Sequence, residues 1–136
     1  MNYVIEANAV AYLDHYFFQT PKVMRDADAA TFTVIAQWFA IDCRHVYFLY
    51  NVVVGADPAS FVYLGGHNCQ WAKDKTAAYY FWPSKAANQW KVLASKRLDA
   101  FHILPGCRFS EYARDDENVF YKGRKFEELT LNRFTS

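Results

Sequence analysis

Hydrophobic and polar positions along this chain repeat as one phrase. An aromatic residue, an alanine, any residue and an aspartate are followed, four positions after the aspartate, by a small or β-branched residue and two aromatic residues. Three copies are clear (Phe39–Phe48, Trp71–Tyr80 and Tyr112–Tyr121), and a worn copy runs over Tyr3–Tyr12 with Glu6 in place of the aspartate. The aspartates lie 32 to 41 residues apart. Such a period is typical of proteins in which one small structural unit recurs along the chain.

Each copy of the phrase predicts a β-hairpin. Aromatic residues alternate with small ones before the aspartate, and β-branched and aromatic residues follow the turn. An aspartate at a reversal can accept a hydrogen bond from an amide two residues further on. We therefore interpret Asp42, Asp74 and Asp115 as turn residues, with a catalytic role as the alternative that the sequence leaves open.

A second recurring segment predicts a short helix before each hairpin. Asp57 is a favourable N-cap, and Pro58 suits the first helical position. Phe61 and Leu64 are three residues apart and would share one face, before Gly65–Gly66 ends the helix. Related segments begin at Asp28 and near Ser95–Leu98, and carry Phe32 and Phe101 in the position of Phe61. We expect these phenylalanines to cover the aromatic face of a hairpin.

These elements predict an α+β fold that is mainly β, an antiparallel meander of repeated hairpins joined by short helical turns. With 136 residues, the default is a single domain spanning 1–136. We predict four repeats: a degraded one at 1–19, then 26–54, 55–94 with an insertion at 81–94, and 95–126.

The repeats resemble a known bacterial family. Gly55–Phe61, Trp71–Lys75 and Ala78–Tyr80 look like the two halves of the DKNYY repeat, and Asp115–Gly123 resembles its second half. The resemblance covers about residues 26–126, with a degraded copy at 1–19. The Asp-Lys-Asn core of the motif reads Asp-Cys-Arg in the first clear copy and Asp-Lys-Thr in the second. The resemblance implies an architecture, and, by context, an immunity protein paired with a toxin.

Composition narrows the class of protein. Hydrophobic residues make up 53% of the chain and aromatic residues 19%, enough for a large core. No apolar run reaches the length of a membrane span, and the first residues do not read as a secretory signal. Three cysteines without framework spacing favour a reducing compartment, so we expect a cytoplasmic location and no membrane partner.

Charge is unevenly divided along the chain. Residues 1–68 hold three basic and six acidic side chains, a net charge of −3, whereas residues 69–136 hold twelve basic and eight acidic ones, a net charge of +4. Neither half has the density of positive charge of a dedicated nucleic-acid-binding protein. Lys122–Lys125 is a short basic cluster that we interpret as a solvated strand edge. The tyrosines recur at the same repeat position, which favours the core over a base-stacking surface.

Two cysteine and histidine patterns suggest chemistry. Cys43 with His45 and His67 with Cys69 supply zinc-ligand types, but the predicted hairpins place the two pairs about a strand length apart. Cys107 near His102 suggests thiol catalysis, yet a buried thiol is the commoner role. We expect no metal, no cofactor and no catalytic residue.

Two segments break the uniformity of the repeat and are the predicted partner-binding regions. Insertions in repeat proteins form loops that often lie on the binding face. The insertion carries two tryptophans suited to anchor a partner, and the last hairpin tip is acidic. The predicted partner-binding residues are Trp82, Trp90, Glu111, Asp115, Asp116 and Glu117. Covering the end of the sheet is the alternative for the tryptophans, and a solvated turn is the alternative for the acidic tip.

The resulting functional prediction is a non-enzymatic protein-binding module, most concretely an immunity protein that neutralises a cognate bacterial toxin by direct binding. The alternative is a nucleic-acid- or anion-binding protein that uses the basic C-terminal half.

Overall fold

The computed structural model describes residues 3–13, 21–66, 70–82, 90–95, 97–104 and 112–126, without the side chains of residues 125 and 126. Structural statements below refer to these residues. Contacts divide the described residues into two compact units, one up to Phe61 and the other from Val62 onwards. Each unit holds two antiparallel sheets.

The first unit contains a three-stranded and a four-stranded sheet, each with its strands in chain order. The three-stranded sheet is formed by β1 (Tyr3–Glu6), β2 (Ala9–Tyr12) and β3 (Lys22–Val23). The four-stranded sheet is formed by β4 (Thr33–Ala36), β5 (Phe39–Ile41), β6 (Val46–Phe48) and β7 (Asn51–Val52).

The second unit contains two four-stranded sheets, again meanders in chain order. One is formed by β8 (Val62–Gly65), β9 (Gln70–Lys73), β10 (Ala78–Phe81) and β11 (Trp90–Leu93). The other is formed by β12 (His102–Ile103), β13 (Tyr112–Arg114), β14 (Val119–Tyr121) and β15 (Arg124–Phe126). The predicted antiparallel, mainly β class is confirmed, and the meander is divided into four sheets.

The predicted helical turns are almost absent from the described residues. The segments at Asp28 and Asp57 make one hydrogen-bonded turn each, in which Thr31 N donates to Asp28 O over 3.2 Å and Ser60 N to Asp57 O over 3.3 Å. Within the part of the chain that the structure describes, only Leu98–Ala100 forms a turn of 3-10 helix. The helix predicted through Phe61 and Leu64 is wrong, because Val62–Gly65 is paired with β9 and its β-branched and aromatic residues suit a strand.

The two glycines predicted to end that helix have another position. Gly65 is the last residue of β8, with φ +102°, and lies opposite Trp71 after a break in register. Glycine readily adopts a positive φ at a bulge. The glycine therefore did indicate an unusual backbone conformation, but at a bulge in a strand and not at the end of a helix.

Both ends of the predicted insertion belong to strands. Phe81 ends β10 and is fully buried, while Trp90–Leu93 is β11, paired with β10 along its whole length. The connection between β10 and β11 comprises residues 82–89, of which 83–89 lie outside the described residues. In the last sheet the equivalent connection is only Lys122–Gly123, since Tyr121 pairs with Arg124.

The core of each unit repeats one aromatic arrangement. Phe101 lies between Trp71 of one sheet and Phe120 of the next, with ring centroids 5.8 and 5.4 Å apart. In the first unit Phe32 lies between Tyr3 (5.4 Å) and Tyr47 (5.6 Å) in the same way. Phe32 and Phe101 are buried, so the prediction that these residues cover hairpin faces is confirmed for both. Phe61 contacts Phe39 at 6.2 Å but is only half-buried.

We expect Phe101→Ala to lower the free energy of unfolding by about 3–5 kcal/mol, because truncating a buried phenylalanine removes apolar burial and leaves a cavity. Phe61→Ala should cost less, since that ring is half-buried. Urea unfolding of both variants checks the order. Equal losses would mean that Phe61 is as deeply buried as Phe101.

Two glycines with left-handed backbones form a matched pair. Gly55 and Gly123 have φ of +87° and +79°, and a Cβ at Gly123 would lie 3.0 Å from Tyr80 Cδ2 and 3.1 Å from Lys91 Cδ. No atom lies within 4 Å of the Cβ position at Gly55.

We expect Gly55→Ala to lower the free energy of unfolding by about 1–2 kcal/mol, from backbone strain alone, and Gly123→Ala to lower it by more. Thermal unfolding that ranks Gly55→Ala as the more damaging would contradict this packing.

Candidate functional site

The aspartate of the first clear repeat closes its turn through both carboxylate oxygens. Asp42 Oδ1 accepts hydrogen bonds from Arg44 N at 2.8 Å and His45 N at 2.7 Å. Its Oδ2 accepts from Tyr47 Oη at 2.7 Å and from Asp28 N at 2.9 Å. The carboxylate is buried, so these four donors replace the water that it would bind in the unfolded chain.

The second repeat is built in the same way. Asp74 Oδ1 accepts from Thr76 N at 2.8 Å, from Ala77 N at 2.9 Å and from Thr76 Oγ1 at 2.7 Å. Its Oδ2 accepts from Tyr79 Oη at 2.7 Å. The tyrosine five residues after the aspartate is therefore part of the turn as well as of the core.

The third repeat replaces the tyrosine hydroxyl with a serine hydroxyl. Asp115 Oδ1 accepts from Glu117 N at 2.8 Å and Asn118 N at 2.6 Å, as in the other copies. The residue five positions on is Phe120, which has no hydroxyl. Ser95 Oγ donates to Asp115 Oδ2 over 2.6 Å instead. Sequence reasoning missed this partner, although the loss of the hydroxyl at Phe120 was a visible signal.

The electrostatics fit carboxylates that stay ionised. Burial by itself would raise the pKa of Asp42, but the donors from Asp28, Tyr47, Arg44 and His45 outweigh it and lower the pKa. Burial would also raise the pKa of Asp115, but the hydrogen bonds from Ser95, Asn118 and Glu117 outweigh it and lower the pKa. For Tyr47, burial and the hydrogen bond to Asp42 both raise the pKa. The interpretation of these aspartates as turn residues is confirmed.

Trp82 and Trp90 flank the connection between β10 and β11. Trp82 is half-buried and packs against the core of the second unit, with its ring 5.5 Å from that of Tyr80. Trp90 is half-buried too, and its ring lies 6.3 Å from that of its cross-strand partner Phe81. Val92, two residues after Trp90 on the same face of β11, is 58% exposed. Sequence reasoning did not select Val92, although its two-residue spacing from Trp90 was a signal.

The acidic tip of the last hairpin offers fewer free carboxylates than its sequence indicates. Asp115 is buried in the turn, and Asp116 Oδ2 lies 2.6 Å from Arg97 Nη1 in an exposed ion pair. Glu117 is exposed. Glu111 lies outside the described residues.

The tryptophans and the acidic tip of the last hairpin lie near opposite ends of β10 and β11. Trp90 pairs with Phe81 at the end of β10 that is remote from the Asp74 turn. Ser95, which bonds Asp115, follows Leu93 at the other end, where β11 pairs next to that turn. The three residue steps from Ala78 to Phe81 alone span about 10 Å of strand. One small binding patch therefore does not include both groups.

The cysteine and histidine patterns are only partly visible. Cys43 is exposed, and its thiol donates to Asp28 Oδ2 over 3.4 Å. His45 Nδ1 is 3.3 Å from Tyr47 Oη. His67, Cys69 and Cys107 lie outside the described residues, so neither the zinc pairing nor the thiol pairing with His102 is tested. Among the residues with described positions, no group of three or more His, Cys, Asp or Glu side chains is arranged to hold a metal ion.

The basic cluster occupies the last turn and strand. Lys122, with φ +49°, and Gly123 form the β14–β15 connection, and Lys122 Nζ lies 5.3 Å from the centre of the Tyr121 ring. Arg124 is exposed on β15, the edge strand of its sheet, as expected for a charged edge.

Comparison with known proteins identifies the family. The profile of the DKNYY family matches residues 2–83, which is more than half of the chain, and the chain belongs to that family. No curated protein and no solved structure matches. The third clear repeat lies beyond the matched residues, but its turn has the same two amide bonds to the aspartate. In the described part of the chain, no helix combines the length and the apolarity of a membrane span.

Replacing one turn aspartate tests the closure. In Asp42→Asn the amide group can still accept from Arg44 N and His45 N, but its NH₂ cannot accept from Asp28 N. We expect a loss of about 1–3 kcal/mol, because a hydrogen bond to a charged acceptor is lost and a donor is left unpaired. Asp26→Asn, at an exposed position, is the matched control.

The same pair of variants gives a pH test. The folded-state pKa values of Asp42 and Asp115 are lowered, so their stabilisation is complete above the unfolded pKa, about 3.9, and disappears as the pH falls below it. We expect the free energy of unfolding to fall below about pH 4, and to fall less steeply in Asp42→Asn than in Asp26→Asn. Parallel urea titrations from neutral to acid pH check this, and identical slopes would exclude an ionised role for Asp42.

Proposed function

We propose that this member of the DKNYY family is a protein-binding module without catalytic activity, most concretely an immunity protein that neutralises a toxin by covering it. Two features support a binding role over a catalytic one. The aspartates of the repeat are occupied by turn amides and hydroxyls, and the aromatic residues build the core. The context of the family resemblance supports the toxin as the partner class.

One observation carries the choice of surface. The connection between β10 and β11 has eight residues, 82–89, where the last sheet needs only Lys122–Gly123. A longer connection is not required by the pairing of the strands. In repeat proteins such additions commonly lie on the binding face.

The residues beside this connection have the properties of partner anchors. Trp90 is half-buried, so it is held in position by Phe81 while part of its ring remains accessible. Val92 extends the apolar surface along β11, which is the edge strand of its sheet. Tryptophan is enriched among the residues that dominate binding energy. Trp82, packed on the core, supports the connection from the other face of the sheet.

The acidic residues take a different role in this proposal. Glu117 lies at the acidic tip of the last hairpin, where Asp116 is partly neutralised by Arg97, and Glu111 precedes β13 in the sequence, outside the described residues. Charges that are remote from a contact still steer the encounter with a basic partner. We therefore assign Glu111, Asp116 and Glu117 to association rate and leave the buried Asp115 to the turn.

Affinity for the product of a neighbouring toxin gene tests the proposal. Trp90→Ala should weaken binding by about 30-fold, because a tryptophan anchor contributes about 2 kcal/mol or more. Trp38→Ala, which removes a half-buried tryptophan from the β4–β5 turn, is the matched control and should bind normally. Charge reversal at Glu117 should slow association without a large change in dissociation.

Other outcomes of the experiment are decisive as well. Unchanged binding by Trp90→Ala and Val92→Asp would exclude this surface. Binding of RNA with a steep dependence on salt, and of no neighbouring protein, would replace the proposal with the nucleic-acid alternative.

A further inference from the structure

At the end of the last strand of every sheet, one residue lies opposite the same position of the repeat. The amide of Met24 donates to Val10 O over 2.8 Å, and the amide of Val53 donates to Val46 O over 2.8 Å. In the second unit Leu93 pairs with Ala78, and Phe126 pairs with Val119. Val10, Val46, Ala78 and Val119 occupy one position of the repeat, which makes Met24, Val53, Leu93 and Phe126 equivalent.

A phenylalanine follows each of the first three of these residues at one fixed distance. Phe32, Phe61 and Phe101 stand eight residues after Met24, Val53 and Leu93. Each contacts the aromatic residue that begins the repeated phrase of the sheet just completed. The ring centroids are 5.4 Å apart for Phe32 and Tyr3, 6.2 Å for Phe61 and Phe39, and 5.8 Å for Phe101 and Trp71.

The fourth sheet has the same count. Eight residues after Phe126 stands Phe134, and the residue that begins the phrase of this sheet is Tyr112. Residues 127–136 lie outside the described part of the chain, so we infer their binding position from the eight-residue spacing.

The receiving face is already formed in the described residues. Tyr112 pairs with Tyr121 across β13 and β14, with ring centroids 4.8 Å apart. Trp71 and Tyr80, the equivalent pair of the preceding sheet, are also 4.8 Å apart, and that pair carries Phe101. Both tyrosines of the last sheet are half-buried.

Charge on this face fits the segment that follows β15. Arg124 pairs with Tyr121 in register and therefore shares its face, and Arg114, two residues from Tyr112 on β13, shares it too. The sequence after Phe126 begins with Glu127 and Glu128, and Leu129 and Leu131 follow before Phe134. Opposite charges at the start of a docked segment favour its attachment.

We propose that residues 127–136 dock on the face of the last sheet that carries Tyr112 and Tyr121, with the Phe134 ring against Tyr112. The segment then covers the fourth sheet as the phenylalanine segments cover the other three. The proposal gives the last sheet an interaction surface of its own. The function proposed above uses only the acidic turn of that sheet, between β13 and β14.

Nuclear magnetic resonance on the full chain tests the contact directly. Cross-relaxation between the ring protons of Phe134 and Tyr112, assigned with the variant Phe134→Leu, is the expected result. In a sample that mixes labelled and unlabelled chains, the signal should arise within one chain. Signals between chains would assign the face to a second copy, and the absence of any signal would overturn the proposal.

Unfolding provides an independent measurement. Phe134→Ala should lower the melting temperature by several degrees, of the order of 2–8 °C for a domain of this size, whereas Thr135→Ala should not. The double variant Tyr112→Ala/Phe134→Ala should lose less than the sum of the single losses, because both remove the same contact. Strict additivity, or equal melting temperatures for Phe134→Ala and Thr135→Ala, would show that the two rings do not meet.

Discussion

A carboxylate that accepts hydrogen bonds from at least two backbone amides and one hydroxyl is the interaction on which each clear repeat depends. Asp42, Asp74 and Asp115 each bind the amides two and three residues ahead, which lets the chain reverse within four residues. The reversal sets the register that brings the aromatic residues of both strands to matching positions. A one-residue slip would move every aromatic side chain to the other face of the sheet, so the turn bond and the core depend on each other.

The worn repeat shows what happens when the aspartate is missing. Glu6 pairs with Ala9, and the reversal is made by a two-residue loop in which Ala7 has φ +48°. Tyr3 and Tyr12 still pair as Phe39 and Phe48 do. The hairpin register survives because both closures span the same number of residues. What is lost is the buried carboxylate and, with it, the acid sensitivity expected of the Asp42 and Asp115 turns.

Stacking of sheets through one phenylalanine explains why the repeats need each other. A sheet of three or four short strands buries only part of its aromatic surface by itself. Phe32 and Phe101 fill the space between the sheets of their units, and they come from the segment that joins those sheets. The function proposed above therefore places recognition outside the repeated phrase, because the aromatic residues of the phrase are used in packing.

The sequence by itself determined the hairpins, their aspartate turns and the covering role of Phe32 and Phe101, because alternation, turn chemistry and repeat spacing are local properties. It did not determine the state of the segments at Asp28 and Asp57, where capping signals predicted helices. Those segments form single turns because the residues that follow join a sheet, and strand pairing outweighs weak helix propensity. Only the tertiary structure decided that Trp90–Leu93 completes a sheet and that Ser95 replaces the missing hydroxyl at Phe120. The tertiary structure also decided that the tryptophans and the acidic turn do not lie in one patch. Each of these depends on contacts between residues distant in the chain, which no local pattern specifies.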